Sequence, residues 1–130
     1  MENPNVLLVD DNSINQFIVS AYLRKWNMRF AVANNGMEAL TIIQEQSFHI
    51  VLMDLQMPVM DGFEATRKIR ALTDPFFKTM PIIAFTASTL IMSKEHAMEF
   101  AMTDFIGKPF LPETLREKII LYTKHLNVCV

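Results

Sequence analysis

His49-Ile50-Val51-Leu52-Met53-Asp54 is an apolar run that closes on a carboxylate. Its length suits a single strand, and two other runs of the same kind also end in charge: Val6-Leu7-Leu8-Val9-Asp10-Asp11 and Phe105-Ile106-Gly107-Lys108-Pro109. If all three are neighbouring parallel strands, their carboxyl ends gather three carboxylates and one ammonium into one cleft. Acids crowded at one strand edge repel one another, so they imply a bound divalent cation, and oxygen-only ligands favour magnesium, with manganese as the alternative, over zinc. A lysine beside such a site is poised to hold an anion, and magnesium with an anion points to phosphoryl chemistry.

Outward from these runs, short β-rich segments alternate with longer helical patterns, the signature of βαβ units and a parallel sheet. Strands are predicted near residues 5–10, 28–33, 49–54, 80–85 and 103–107. Between them, Ser13 with Gln16, Asn35 with Glu38 and Asp61 with Glu64 have the spacing of helix capping boxes. Pro112 suits a first helical position, where its missing N–H is no loss. Ile14, Phe17, Ile18 and Ala21 form one helical stripe, and Leu111, Leu115, Ile119 and Tyr122 another. The segment 88–102 has only a broken stripe, which makes it the candidate for the most mobile helix. The expected fold is a doubly wound five-stranded α/β sheet of flavodoxin-like order 2-1-3-4-5, with helices on both faces and ligands at the carboxyl ends of the strands.

Composition narrows the function classes. At 130 residues the chain reads as a single domain, 1–130 with a core of about 5–123, long enough to bury its own core. A net charge of −2 with scattered basic residues leaves no footprint for direct nucleic-acid binding. One cysteine, Cys129, precludes an internal disulfide and fits a reducing compartment. Apolar stretches too short for a bilayer, and an N-terminus unlike a signal peptide, give the expectation of a cytoplasmic location with no direct membrane insertion, either free or as a cytoplasmic domain of a membrane-anchored parent.

The segments Val9-Asp10-Asp11-Asn12, Met53-Asp54-Leu55-Gln56-Met57-Pro58-Val59-Met60-Asp61-Gly62, Phe85-Thr86-Ala87 and Gly107-Lys108-Pro109 carry a resemblance. In order, and each at the end of a predicted strand, they resemble the receiver (response-regulator) domain of two-component signalling. The likeness runs from about Asn5 to about Tyr122. The wording of the first two segments is similar to receivers attached to hybrid sensor histidine kinases, while a stand-alone regulator is the alternative parentage.

The resemblance implies a role for each residue. Asp54 is the phosphoacceptor, forming a mixed anhydride. Asp11 and Asp54 contact magnesium directly, Asp10 acts largely through water, and the backbone carbonyl of Gln56 completes the protein ligands. Lys108 pairs with a phosphate oxygen, Pro109 is the candidate for a cis peptide, Thr86 offers its hydroxyl and Ala87 its N–H to the phosphoryl group. Phe105 matches the family's switch aromatic, often tyrosine, although a plain core role is an equal reading of a strand phenylalanine. Gln56 and Ser88 flank the site and tune hydrolysis, and Asp11 or Asn12 also reads as a helix cap. Pro58 and Gly62 shape the loop after Asp54, in roles that sequence does not separate. No carboxylate or motif marks His49, His96 or His125 as a phosphoryl donor, so the donor is another protein: a sensor histidine kinase or histidine phosphotransfer protein. A weak homodimer is compatible with this reading.

The expected function is that of a phosphorelay receiver that catalyses its own phosphorylation and dephosphorylation without being a conventional enzyme. Its output is a change at the face made by the fourth helix, fifth strand and fifth helix. Two rivals are a magnesium-dependent aspartyl-phosphate phosphohydrolase and a phosphorylation-independent interaction module. The first would need an acid/base group beside the nucleophile, where Leu55 and Gln56 stand.

Overall fold

The computed structural model describes residues 3–57, 59–86 and 99–124. Five strands, β1 (Asn5–Val9), β2 (Arg29–Ala33), β3 (Ile50–Asp54), β4 (Ile82–Thr86) and β5 (Asp104–Gly107), form one parallel sheet in the order β2-β1-β3-β4-β5. The helices are α1 (Ser13–Lys25), α2 (Gly36–Glu45), α3 (Gly62–Arg70), the single turn α4 (Phe76–Thr79) and α5 (Pro112–Thr123). The expected fold class and strand order hold. As that order implies, the three charge-ending runs are not all neighbours, because β4 lies between β3 and β5. The fourth strand starts after Pro81 rather than at residue 80, since proline has no N–H to give to the ladder.

Side chains alternate across the sheet and build two cores. Leu7, Val9, Val51, Met53, Ile82 and Ala84 pack with Ala39, Ile43, Ala65 and Ile69 of α2 and α3. Val6, Leu8, Ile50, Leu52, Ile83 and Phe85 pack on the other face with Val19 and Leu23 of α1 and Leu115 and Ile119 of α5. β3 and β4 are buried along their whole length, which is why they read as continuous apolar runs.

The helix starts differ in detail from the expected boxes. Asn12, not Ser13, caps α1: its Oδ1 accepts from the N–H of Ile14 at 2.9 Å and of Asn15 at 3.0 Å. Asn35 and Asp61 do cap α2 and α3, accepting from the N–H of Glu38 at 2.9 Å and of Glu64 at 2.8 Å. The return bonds of a box are replaced, because Glu38 Oε1 accepts from Asn34 and the Glu64 carboxylate turns to Lys68. Pro112 opens α5 as expected.

The stripe on α1 faces the wrong way for a core. Ile14 is 68% exposed, Phe17 72% and Ile18 40%, while the buried side of the helix is Val19, Ser20 and Leu23. Nothing in the apolar period distinguishes a stripe turned to the sheet from one turned outward. On α5 the expected stripe is half right, with Leu115 and Ile119 buried and Leu111 exposed. The expectations on Pro58, Ala87, Ser88, His96, His125 and Cys129, and most of the helix over 88–102, lie outside the described residues. No helix among the described residues is long and apolar enough to cross a membrane.

Candidate functional site

Parallel strands all present their carboxyl ends at one edge of the sheet, and β1 and β3 are adjacent there. Asp10 follows β1 and Asp54 ends β3, so the pair arises from neighbouring strands, with Asp11 one residue on. Each of the three acids offers an oxygen, and these oxygens lie within 4.8 Å of one another. Lys108 completes the cluster from beyond β4. Its ammonium lies 3.3 Å from Asp10 Oδ2 and 3.3 Å from Asp54 Oδ1, bridging two buried carboxylates. Lys108 follows the end of β5, where its N–H bonds the carbonyl of Thr86 at 2.8 Å, and the Lys108–Pro109 peptide is cis, as expected.

The loop after β1 is held by bonds that the sequence reading did not identify. Asn12 N–H donates to Asp10 Oδ1 at 2.9 Å, and the Gln16 amide donates to the Asp10 carbonyl and, at 2.8 Å, to Asn34 Oδ1. Asn12 and Gln16 thus fix the acidic loop rather than closing a capping box. The available signal was their spacing from Asp10, two and six residues, which reaches the first turn of α1.

The Asp54 carboxyl is pushed above the ordinary carboxylate range. Burial is the largest cause, Lys108 opposes it, the negative charge of Asp10 adds to it, and the Gln56 N–H, 3.3 Å from Asp54 Oδ1, opposes it again. Counted formally, three carboxylates against one ammonium leave the cluster with two surplus negative charges, and the burial of Asp10 and Asp54 makes that surplus costly although Asp11 is exposed.

Behind Asp54 the β3–α3 loop folds back, and Gly62 N–H bonds the Leu55 carbonyl at 3.2 Å. A Cβ on Gly62 would stand 2.3 Å from the Asp54 carbonyl oxygen. The glycine is therefore a structural requirement of the Asp54 backbone itself. In the same loop Val59 is 79% exposed with φ 72°, an unfavourable conformation for a β-branched residue.

Thr86 ends β4, buried, with Gly107 paired opposite it, and Phe105 is paired opposite Ala84. By alternation Thr86 and Phe105 share the sheet face that carries α2 and α3, and the half-buried Phe105 packs against that core. His49 is not in the cleft; its Nδ1 accepts from the Asn5 N–H at 2.9 Å.

The family model described as the response regulator receiver domain matches residues 6–120. The chain is 36% identical over 139 residues to the response regulator mcs4 of Schizosaccharomyces pombe, an alignment covering 88% of this chain and 27% of that protein, so it spans about a quarter of the relative's length. It is similar in structure to the receiver domain of sensor histidine kinase PA1611 from Pseudomonas aeruginosa, solved with a magnesium ion coordinated in the active-site cleft; the TM-score is 0.85 at 33% identity, covering 95% of this chain and 99% of that one. It is also similar to the receiver domain of the Saccharomyces cerevisiae response regulator Ssk1, solved in complex with the histidine phosphotransfer protein Ypd1. There the TM-score is 0.81 at 35% identity, over 93% of this chain and 89% of that one. With its order 2-1-3-4-5 sheet, its acid cluster and the match over most of its length, the chain belongs to the receiver-domain family of two-component signalling.

Proposed function

We propose that Asp54 accepts a phosphoryl group from a phosphohistidine on a sensor histidine kinase or histidine phosphotransfer protein. The observation that carries this reading is the Lys108 ammonium bridging Asp10 and Asp54 at 3.3 Å each, inside a cluster with surplus negative charge. An Asp54 carboxylate oxygen forms the new P–O bond, the P–N bond to the donor imidazole breaks, and its electron pair stays on the imidazole. The product is an acyl phosphate, which water later cleaves to inorganic phosphate and the original carboxylate. Lys108 exchanges Asp54 for a phosphoryl oxygen, as its flexible stem and point charge allow. The Thr86 hydroxyl and the Ala87 N–H take other phosphoryl oxygens, and Gln56 and Ser88 control water access.

Asp10, Asp11, Asp54 and the Gln56 carbonyl would hold magnesium, or manganese, and the fit is supported by an all-oxygen acid set within 4.8 Å and by its charge surplus. The ion supplies positive charge against the phosphoryl oxygens. Phosphorylation adds about 1.5–2 negative charges, and a bias of about 1–3 kcal/mol is enough for ordinary coupling to a distant face. That face is the one formed by the fourth predicted helix, β5 and α5, and the output is a binding event in the cytoplasm.

The donor's docking surface is the outward stripe of α1. Ile14, Phe17 and Ile18 stand exposed, and Ile18 lines a cavity of about 220 Å³ with Tyr22, Phe85 and Phe110 together with Asp10 and Lys108. An apolar surface that opens on the phosphorylation site favours a protein donor over a small phosphoester. Phe17→Glu should abolish transfer from a phosphorylated histidine phosphotransfer protein while phosphorylation by acetyl phosphate with magnesium proceeds. Equal transfer to the variant and the wild type would refute a donor surface on α1.

A further inference from the structure

β5 is the last strand of the sheet, and its first two residues point to opposite faces. Asp104 turns toward α5, buried, where its Oδ2 receives Lys118 Nζ at 2.8 Å and Tyr122 Oη at 2.7 Å, while its Oδ1 receives the Phe105 N–H at 2.8 Å. Lys118 and Tyr122 are one helical turn apart, so a single carboxylate gathers both from the same face of α5. No strand covers the outer edge of β5 among the described residues, and Lys118 reaches residues of both its faces, Asp104 and Phe105. Its ammonium lies 5.9 Å from the centroid of the Phe105 ring, on the other side of the strand.

We propose that Lys118, held by Asp104, is a positioning residue that retains the Phe105 ring at the sheet edge in the unphosphorylated state. The proposal rests on the reading of Phe105 as the switch aromatic and deepens it. A phenylalanine has no hydroxyl with which to be held, whereas a cation over the ring face attracts any aromatic ring. Small residues pair across β4 and β5 beside the ring, Ala84 opposite Phe105 and Gly107 opposite Thr86. A ring that leaves the edge gives up the Lys118 contact. The anchor itself is independent of the ring, since Lys118 and Tyr122 each donate to the Asp104 carboxylate.

Removing the ammonium should therefore favour the departed ring. A partly exposed cation–π contact is worth about a two- to fivefold change in the population ratio, and a rarely populated competent state lowers apparent affinity in proportion to its rarity. Beryllofluoride with magnesium, an acyl-phosphate mimic, should reach half-saturation of Lys118→Met at about two- to fivefold lower concentration than of wild type. The readout is the Gly107 amide by NMR, with the ring signal of Phe105 followed in ring-labelled protein. Long-range electrostatics alone predicts the opposite sign, because losing a positive charge weakens anion binding. Lys118→Arg keeps a cation and should restore the wild-type midpoint, and in a Phe105→Leu background Lys118→Met should have no effect. A wild-type Phe105 ring signal that ignores beryllofluoride overturns the switch reading and this proposal with it. A ring signal that responds, together with an unchanged or raised midpoint in Lys118→Met, overturns the role of Lys118 alone.

Discussion

Gly62→Ala should destabilise the protein, against the usual sign for a glycine in a helix. Its φ is not in the left-handed region, so alanine could adopt the backbone and would ordinarily gain about 1 kcal/mol of helix propensity. The added Cβ, however, would lie 2.3 Å from the Asp54 carbonyl oxygen and 3.0 Å from both Leu55 Cα and Met53 Cγ. Relief requires the end of β3 and the start of α3 to separate by about 1 Å, judged against the ~3.3 Å at which carbon and carbonyl oxygen normally touch. Overpacking of this kind costs about 1–3 kcal/mol and occasionally more. Because the struck atoms are largely backbone, the upper end applies, leaving a net loss of about 1–2 kcal/mol. With a urea m-value of about 1–3 kcal/mol/M, the unfolding midpoint should fall by about 1 M. The displaced backbone carries Asp54, the proposed acceptor, and a misplacement of about 1 Å can cost ~100-fold in rate, so acetyl phosphate labelling should slow as well. A urea midpoint at or above that of wild type would refute the reasoning.

Three further outcomes follow from buried polar groups. Asp54→Asn should be more stable than wild type at pH 7 in magnesium-free buffer: a raised carboxyl pKa means stability that is present at low pH and lost as Asp54 ionises, so the two unfolding midpoints should converge in acid. Asp104→Asn should lose about 1–3 kcal/mol at neutral pH, the size of hydrogen bonds to a charged group. Burial alone would raise the Asp104 pKa, but the bonds from Lys118, Tyr122 and the Phe105 N–H together hold it below 3.8, so this loss should persist until the pH falls through that depressed value. In the same variant the phenolate step of Tyr122, pushed up to about 12 by burial and the Asp104 carboxylate, should move back toward 10.0 in an absorbance titration. Thr66→Val should raise stability by about 1 kcal/mol, since Thr66 Oγ1 is buried with no partner among the described residues; a lower denaturation midpoint would show that the hydroxyl is bonded.

The parts of this protein legible in sequence are those fixed by local period and by chain ends. β3 and β4 announced themselves because strands buried on both faces carry no polar alternation, and Asp10, Asp54 and Lys108 were legible because parallel strands deliver their carboxyl ends to one edge. Sidedness was not legible: the apolar stripe of α1 has the right period and the wrong direction, while the buried side includes Ser20. Nor were contacts between distant segments. The Gly62 Cβ position abutting the Asp54 carbonyl and the Asp104–Lys118–Tyr122 cluster depend on how elements pack, although Lys118 and Tyr122 at helical spacing behind an acid next to Phe105 were a usable hint. The cap of α1 shifted to Asn12 because the residue that best reaches the open N–H groups also closes the turn after Asp10.

Intact-mass measurement after acetyl phosphate with magnesium, in wild type and Asp54→Asn, decides whether Asp54 is the acceptor. One added phosphoryl group is expected in the wild type, released by hydroxylamine as an acyl phosphate must be, and none in the variant. Equal incorporation in Asp54→Asn, or a hydroxylamine-stable adduct in the wild type, would contradict it.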